Sequence, residues 1–130
     1  MSEVPIRTLI VDDVEAYRFL IRHILERDGR FEVVAEATDG AKGVEAAKRH
    51  QPQLVLLDLS MPVMDGLEAL PRILQVCSKA TVIVLSGFLE DRLGEPAKEL
   101  GAASYVEKGA EPPELLQAIV TTLNANGACL

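Results

Sequence analysis

The sequence predicts an α/β fold in which one parallel β-sheet is covered by helices on both faces. Short apolar segments alternate with segments of helical periodicity along the whole chain. The apolar run Leu54–Leu57 is typical of a strand buried on both faces, as in parallel sheets. No internal repeat, low-complexity segment or linker interrupts the five strand–helix units. We therefore expect a single domain over residues 1–130, doubly wound with right-handed crossovers.

Five strands are predicted from apolar runs that end in polar or turn-forming residues. In chain order they cover Ile6–Val11, residues 32–37, Leu54–Leu57, residues 81–85 and residues 102–107. The first helix follows Asp12-Asp13 and ends at Asp28-Gly29; its apolar face contains Tyr17, Leu20, Ile21, Ile24 and Leu25. A second helix is expected over residues 41–50, capped from the turn that contains Asp39.

Proline complicates the remaining helices. A third helix is expected from Gly66 to about Cys77, with Pro71 inside it bending the helix or delaying its start. A fourth covers residues 90–100, and Pro96 is a candidate for its true first turn. Pro112 opens the last helix, and residues 124–130 are expected to form a frayed tail.

Charge and composition exclude several classes of protein. The chain has 130 residues and a net charge of -7, the wrong sign for a surface that binds nucleic acid directly. Cys77 and Cys129 have no partners at metal-binding spacing and are expected to be reduced thiols. No leader or bilayer-length apolar segment is present, which predicts a cytoplasmic protein without a membrane partner.

Charged residues and one hydroxyl residue follow the predicted strands. Asp12 and Asp13 follow the first strand, Asp58 the third, Ser86 the fourth and Lys108 the fifth. Asp58 alone is as well explained by a turn cap as by a reacting group. Because the carboxyl ends of parallel strands meet at one edge, these residues are expected to lie together.

This combination of groups suggests phosphoryl chemistry. Three neighbouring carboxylates repel one another unless a cation compensates, and oxygen ligands without His or Cys favour Mg²⁺. A lysine and a hydroxyl would stabilise a phosphoryl group that passes to a carboxylate, and aspartyl phosphate is a known covalent intermediate. As a simpler alternative, Asp12-Asp13 is only a helix-start signal.

This constellation resembles the receiver domain of two-component response regulators, in particular the chemotaxis response regulators. The resemblance covers essentially the whole chain and includes the loop residues Met61-Pro62 and Asp65-Gly66. It implies a flavodoxin-like three-layer sandwich with five helices and strand order 2-1-3-4-5. It also implies a signalling switch rather than an enzyme, limited to its own phosphorylation and autodephosphorylation.

The resemblance assigns a role to each site residue. Asp58 would accept a phosphoryl group from a sensor histidine kinase or a histidine phosphotransfer protein. Asp13, Asp58 and the backbone carbonyl of Ser60 would hold Mg²⁺, or Mn²⁺ in its place, with Asp12 acting largely through water. Lys108 and Ser86 would contact the phosphoryl oxygens.

The implied switch uses an aromatic residue. Tyr105 would rotate inward as Ser86 moves, changing the face formed by the fourth helix, fifth strand and fifth helix; a static packed aromatic is the alternative. We also expect Ser60 and Phe88 to flank the path of water to a phosphorylated Asp58, with Phe88 shielding the phosphate. Gly109 stands where many receivers have a proline after a cis bond, which leaves the Lys108–Gly109 geometry open.

Two other functions stay open at this point. The segment Lys108-Gly109-Ala110 looks like receivers that precede a helix-turn-helix domain, so the chain could be the regulatory part of a transcription factor. A small-molecule phosphohydrolase with an aspartate nucleophile would need a nearby general acid and a cap, for which the sequence has no candidates. The partner downstream is therefore either an effector protein or an output domain, with a phosphorylation-dependent homodimer as a further option.

Overall fold

The computed structural model describes residues 4–130 as a five-stranded parallel sheet with helices on both faces. The strands are β1 (Ile6–Val11), β2 (Phe31–Ala37), β3 (Leu54–Leu57), β4 (Thr81–Ser86) and β5 (Ser104–Glu107). The helices are α1 (Glu15–Asp28), α2 (Gly40–His50), α3 (Gly66–Val76), α4 (Glu90–Glu99) and α5 (Pro112–Ala125). The strand order is β2-β1-β3-β4-β5, which confirms the predicted fold class and topology.

The core has two layers because successive residues of a strand point to opposite faces. On β1, Leu9 and Val11 belong to the layer covered by α2, α3 and α4, whereas Ile10 belongs to the layer covered by α1 and α5. All four residues of β3 are buried, with exposed fractions of 2% or less. The central strand is thus covered on both faces, as its apolar run predicts.

Strand register brings the polar strand ends together. Val11 pairs with Leu57, so Asp12 and Asp58 follow neighbouring positions, and the Asp58 amide donates to the Val11 carbonyl at 2.9 Å. On the other side Ser86 pairs with Glu107, directly before Lys108. The carboxyl edge of the sheet therefore carries the site.

Pro71 and Pro96 both lie inside helices. Pro71 lies within α3, which begins at Gly66 where Asp65 accepts a hydrogen bond from the Glu68 amide. Pro96 lies within α4, so its expected role as the first turn of that helix was wrong. The helix begins instead at Glu90, whose amide donates a hydrogen bond to the Glu107 carboxylate of β5.

The end of the chain is packed. α5 extends to Ala125, and the Asn126 side chain donates to the Thr81 hydroxyl at 3.2 Å. Ala128 and Leu130 pack against the core layer of α1 and α5. Residues 124–130, which were expected to form a frayed tail, thus make hydrogen bonds and place two partly buried apolar side chains against the core.

Backbone geometry settles one open point of the sequence. Every peptide bond among residues 4–130 is trans, including the bond between Lys108 and Gly109. Within the same residues, no helix combines the length and apolar character needed to cross a membrane.

Candidate functional site

A pocket of about 350 Å³ opens at the carboxyl edge of the sheet. The loops that follow β1, β3 and β4 form its walls, and the residue after β5 closes it. Its lining residues are Asp13, Val14, Asp58, Ser60, Gly87, Phe88 and Lys108. Five of the predicted residues line this pocket: Asp13, Asp58 and Lys108, together with Ser60 and Phe88, the two predicted to flank the water path.

Three carboxylates meet in this region. Asp12 and Asp58 are each only 3% exposed, whereas Asp13 is exposed, and one oxygen from each lies within 4.8 Å of the others. Asp12 Oδ1 accepts a hydrogen bond from the Val14 amide, and Asp58 Oδ1 accepts one from the Leu59 amide, both at 2.8 Å. The local backbone therefore orients both buried carboxylates.

Lys108 supplies the counter-charge. Its Nζ lies 2.7 Å from Asp12 Oδ2 and 3.4 Å from Asp58 Oδ2. Burial and the charge of Asp12 raise the pKa of Asp58, and the ammonium group of Lys108 opposes that rise. One lysine thus compensates a group of three acids only in part.

The donor set fits a hard cation. Three carboxylates at this spacing, without His or Cys, match the all-oxygen coordination of Mg²⁺, which binds through few carboxylates and retains waters. The residues brought together here could therefore hold a divalent metal ion. Ser60 lies beside Asp58, with its amide 3.4 Å from Asp58 Oδ1.

Ser86 and Tyr105 both contact the residue that begins the loop to α4. Ser86 is fully buried, and its Oγ accepts a hydrogen bond from the Phe88 amide at 3.1 Å. The Tyr105 hydroxyl donates to the Phe88 carbonyl at 2.8 Å, and the residue is 5% exposed. Tyr105 thus occupies a buried position here, while the Phe88 side chain remains half exposed at the pocket.

Two residues of this region could not be recognised from the sequence. Tyr17 lies on the first turn of α1, and its ring centroid is 4.4 Å from Lys108 Nζ. Burial, together with the charges of Asp12 and Asp58, raises the pKa of Tyr17 to about 12. The second residue is Glu107, whose carboxylate accepts a hydrogen bond from the Glu90 amide at the start of α4. Nothing in the local sequence pattern links a residue of β5 to that helix. For Tyr17 the only signal was its place in the helical apolar pattern.

A doubly wound sheet with three acids and a lysine at its carboxyl edge is an arrangement typical of signalling modules that accept a phosphoryl group. The family model of the response regulator receiver domain matches residues 8–120, and the chain therefore belongs to this family. Receiver domains are signalling switches that work with kinases and effectors. The predicted resemblance is confirmed.

The relatives include proteins of two sizes. The chain is 42% identical to the chemotaxis protein CheY of Bacillus subtilis over 118 residues, covering 91% of this chain and 98% of that protein. It is 40% identical to the transcriptional regulatory protein LiaR of Bacillus subtilis, covering 88% of this chain but 54% of LiaR. These matches favour a CheY-like receiver domain. They do not favour the two alternatives, the regulatory part of a transcription factor and a small-molecule phosphohydrolase.

A solved structure gives the same fold. The CheX-CheY-BeF3-Mg+2 complex from Borrelia burgdorferi contains a chain with a TM-score of 0.87 and 28% sequence identity. The match covers 92% of this chain and 90% of that one. The fold similarity therefore extends over nearly the whole of both chains.

Proposed function

We propose that Asp58 is the phosphoacceptor and that phosphohistidine on a sensor kinase or a histidine phosphotransfer protein is its donor. The observation that carries this proposal is the position of the Asp58 carboxylate. It lies at the pocket, held by the Leu59 amide, close to two further acids and 3.4 Å from Lys108 Nζ. A carboxylate oxygen attacks phosphorus, the new O–P bond forms as the P–N bond breaks, and the imidazole nitrogen keeps the electron pair.

Asp12, Asp13, Asp58 and the backbone carbonyl of Ser60 are the proposed metal ligands. Bound Mg²⁺ would neutralise charge on the phosphoryl oxygens and reduce repulsion between them and the acceptor. The CheY complex from Borrelia burgdorferi includes both Mg²⁺ and BeF3, which supports the same ion for this chain. Mn²⁺ has similar oxygen preference and is expected to substitute.

Lys108 and Ser86 are proposed to bind the phosphoryl group once it is on Asp58. Lys108 would then exchange part of its contact with Asp12 for the new charge. Ser86 Oγ would turn from the Phe88 amide to a phosphoryl oxygen, which removes one of the contacts that hold Phe88. Autodephosphorylation by water would return the domain to its starting state.

Tyr105 connects this change to the surface. Its hydroxyl holds the Phe88 carbonyl, so movement of the loop between β4 and α4 alters the contacts of the ring. We propose that the surface formed by α4, β5 and α5 is the switching face read by an effector or an output domain. A phosphoryl group shifts such an equilibrium only through its different affinity for the two states.

The test is incubation with Mg²⁺ and acetyl phosphate, followed by intact mass measurement. The wild type is expected to gain one phosphate, and Asp58→Asn none, whereas Asp91→Asn, on the exposed start of α4, serves as the matched control and should be labelled normally. Omission of Mg²⁺ with EDTA should abolish labelling. Equal labelling of the wild type and Asp58→Asn, or no labelling of the wild type beside an active control receiver, would refute the proposal.

A further inference from the structure

The Lys108 ammonium group is surrounded on three sides. Two sides are acidic, with Asp12 Oδ2 at 2.7 Å and Asp58 Oδ2 at 3.4 Å. The third is the ring of Tyr17, whose centroid lies 4.4 Å from Nζ. We propose that Tyr17 is a positioning residue that holds the Lys108 ammonium beside the acceptor carboxylate through a cation–π contact. This inference rests on the proposed role of Asp58.

The contact is suited to a flexible lysine. A lysine side chain has four methylene groups about which it can rotate. An ion pair attracts the ammonium group but does not restrict the conformation of this stem. An aromatic face attracts an ammonium group within about 6 Å of the ring centroid, more strongly where water is partly excluded. The Lys108 side chain is 21% exposed and Tyr17 is partly buried, so this contact lies in such a setting.

Tyr17 and Asp12 are anchored by the same short segment. The Val14 amide donates to Asp12 Oδ1, and the Tyr17 amide donates to the Val14 carbonyl at 3.1 Å. The backbone of Tyr17 and the carboxylate of Asp12 are therefore held by the same residue, Val14. This arrangement depends on residue 17 lying in the first turn of α1.

The ring contact differs from the ion pairs in one respect. A divalent cation bound by the Asp12 carboxylate would compete with Lys108 for that charge, and a phosphoryl group would change the charge at Asp58. The Tyr17 ring is neutral, as a tyrosine is near neutral pH, and it takes no part in that competition. Tyr17 can therefore retain Lys108 near Asp58 while Asp12 binds a cation and Asp58 carries a phosphoryl group.

Nuclear magnetic resonance of protein labelled with ¹³C-lysine tests the contact directly, without metal or phosphodonor. The ε-methylene protons of Lys108, assigned as the signal lost in Lys108→Arg, are expected upfield because they lie against the ring. Tyr17→Phe should keep this shift and Tyr17→Leu should remove it. A wild-type Lys108 signal at the position of the exposed lysines would overturn the proposal, whether or not the variants fold.

Phosphorylation rates test the consequence. At saturating Mg²⁺ and matched acetyl phosphate, Tyr17→Leu is expected to be labelled about three- to tenfold more slowly, and Tyr17→Phe within about twofold of the wild type. Labelling of Tyr17→Leu at the wild-type rate would overturn the proposal, as would Tyr17→Phe as slow as Tyr17→Leu. A wild type with the upfield signal but no phosphate uptake would instead refute the acceptor role of Asp58 and leave the Tyr17 contact supported.

Discussion

The carboxylate of Glu107 accepts a 2.9 Å hydrogen bond from the backbone amide of Glu90, so a residue of β5 caps the first turn of α4. The residue at the usual capping position is Leu89, which has no side-chain acceptor. Glu107→Ala is therefore expected to lower the free energy of unfolding by about 0.5 to 1 kcal/mol. Urea denaturation measures this loss, and faster hydrogen exchange of the Glu90 amide would locate it.

Two further variants make the result specific to capping. Glu107→Gln retains an oxygen acceptor and should lose less stability than Glu107→Ala. Glu99→Ala removes an exposed acid at the other end of α4, where a negative charge is unfavourable to the helix dipole, and should not destabilise. Equal losses in Glu107→Ala and Glu99→Ala would argue against the cap.

Asp58 is expected to reduce stability when it is ionised and no metal is bound. Burial and the charge of Asp12 raise the pKa of Asp58 in the folded chain, so the folded state binds this proton more readily than the unfolded state does. The cost is full above the folded-state pKa and disappears as the pH falls toward the unfolded value of about 4. In EDTA at pH 7, Asp58→Asn should therefore unfold with a free energy higher by about 1 kcal/mol.

The pH dependence distinguishes this effect from a general gain in stability. Chemical denaturation over a series of pH values should show the difference between Asp58→Asn and the wild type shrinking on acidification. Asp91→Asn, at an exposed position, should show no comparable trend. A difference that grows as the pH falls would have the wrong sign and would contradict the assignment.

Phe88 is expected to lengthen the lifetime of the phosphorylated state. Its side chain is 46% exposed and lines the pocket with Asp58 and Ser60, on the expected path of water. Phe88→Ala should lose phosphate faster than the wild type after the donor is removed, as followed by intact mass. Leu89→Ala removes a neighbouring apolar side chain, 54% exposed, that does not line this pocket, and its half-life should be unchanged. An unchanged half-life in Phe88→Ala would end the shielding hypothesis.

Gly66 is expected to tolerate no side chain. A Cβ at this position would overlap the Asp58 carbonyl oxygen and lie 2.7 Å from the Leu59 Cα, both of them backbone atoms. Gly66→Ala should therefore destabilise the fold by about 2 kcal/mol or more and slow phosphate uptake by displacing the acceptor. Gly109→Ala is the control, since a Cβ there would meet nothing within 4 Å. Thermal unfolding and labelling of both variants would decide, and similar behaviour of the two would contradict the close approach.

Much of the fold could be predicted because its signals are local. Each strand is a short apolar run and each helix has a face of apolar residues, so the sequence alone determined the order of the elements and the burial of Leu54–Leu57. The same reasoning predicted that Asp12, Asp58 and Lys108 lie at one edge of the sheet, because parallel strands end on the same side. The contacts of Lys108 with Asp12 and Asp58 agree with this prediction. The roles of these residues remain predictions that the phosphorylation experiment addresses.

The contacts that only the tertiary structure decided join residues that are distant along the chain. Tyr17 looked like one more apolar position of α1 until the fold brought it to Lys108, and Glu107 was an unremarkable strand end until its carboxylate met the Glu90 amide. The contacts of Ala128 and Leu130 with the core likewise have no signal in the local pattern. Local periodicity reports which face of an element is buried, whereas the identity of the neighbour across that face depends on packing between separate elements.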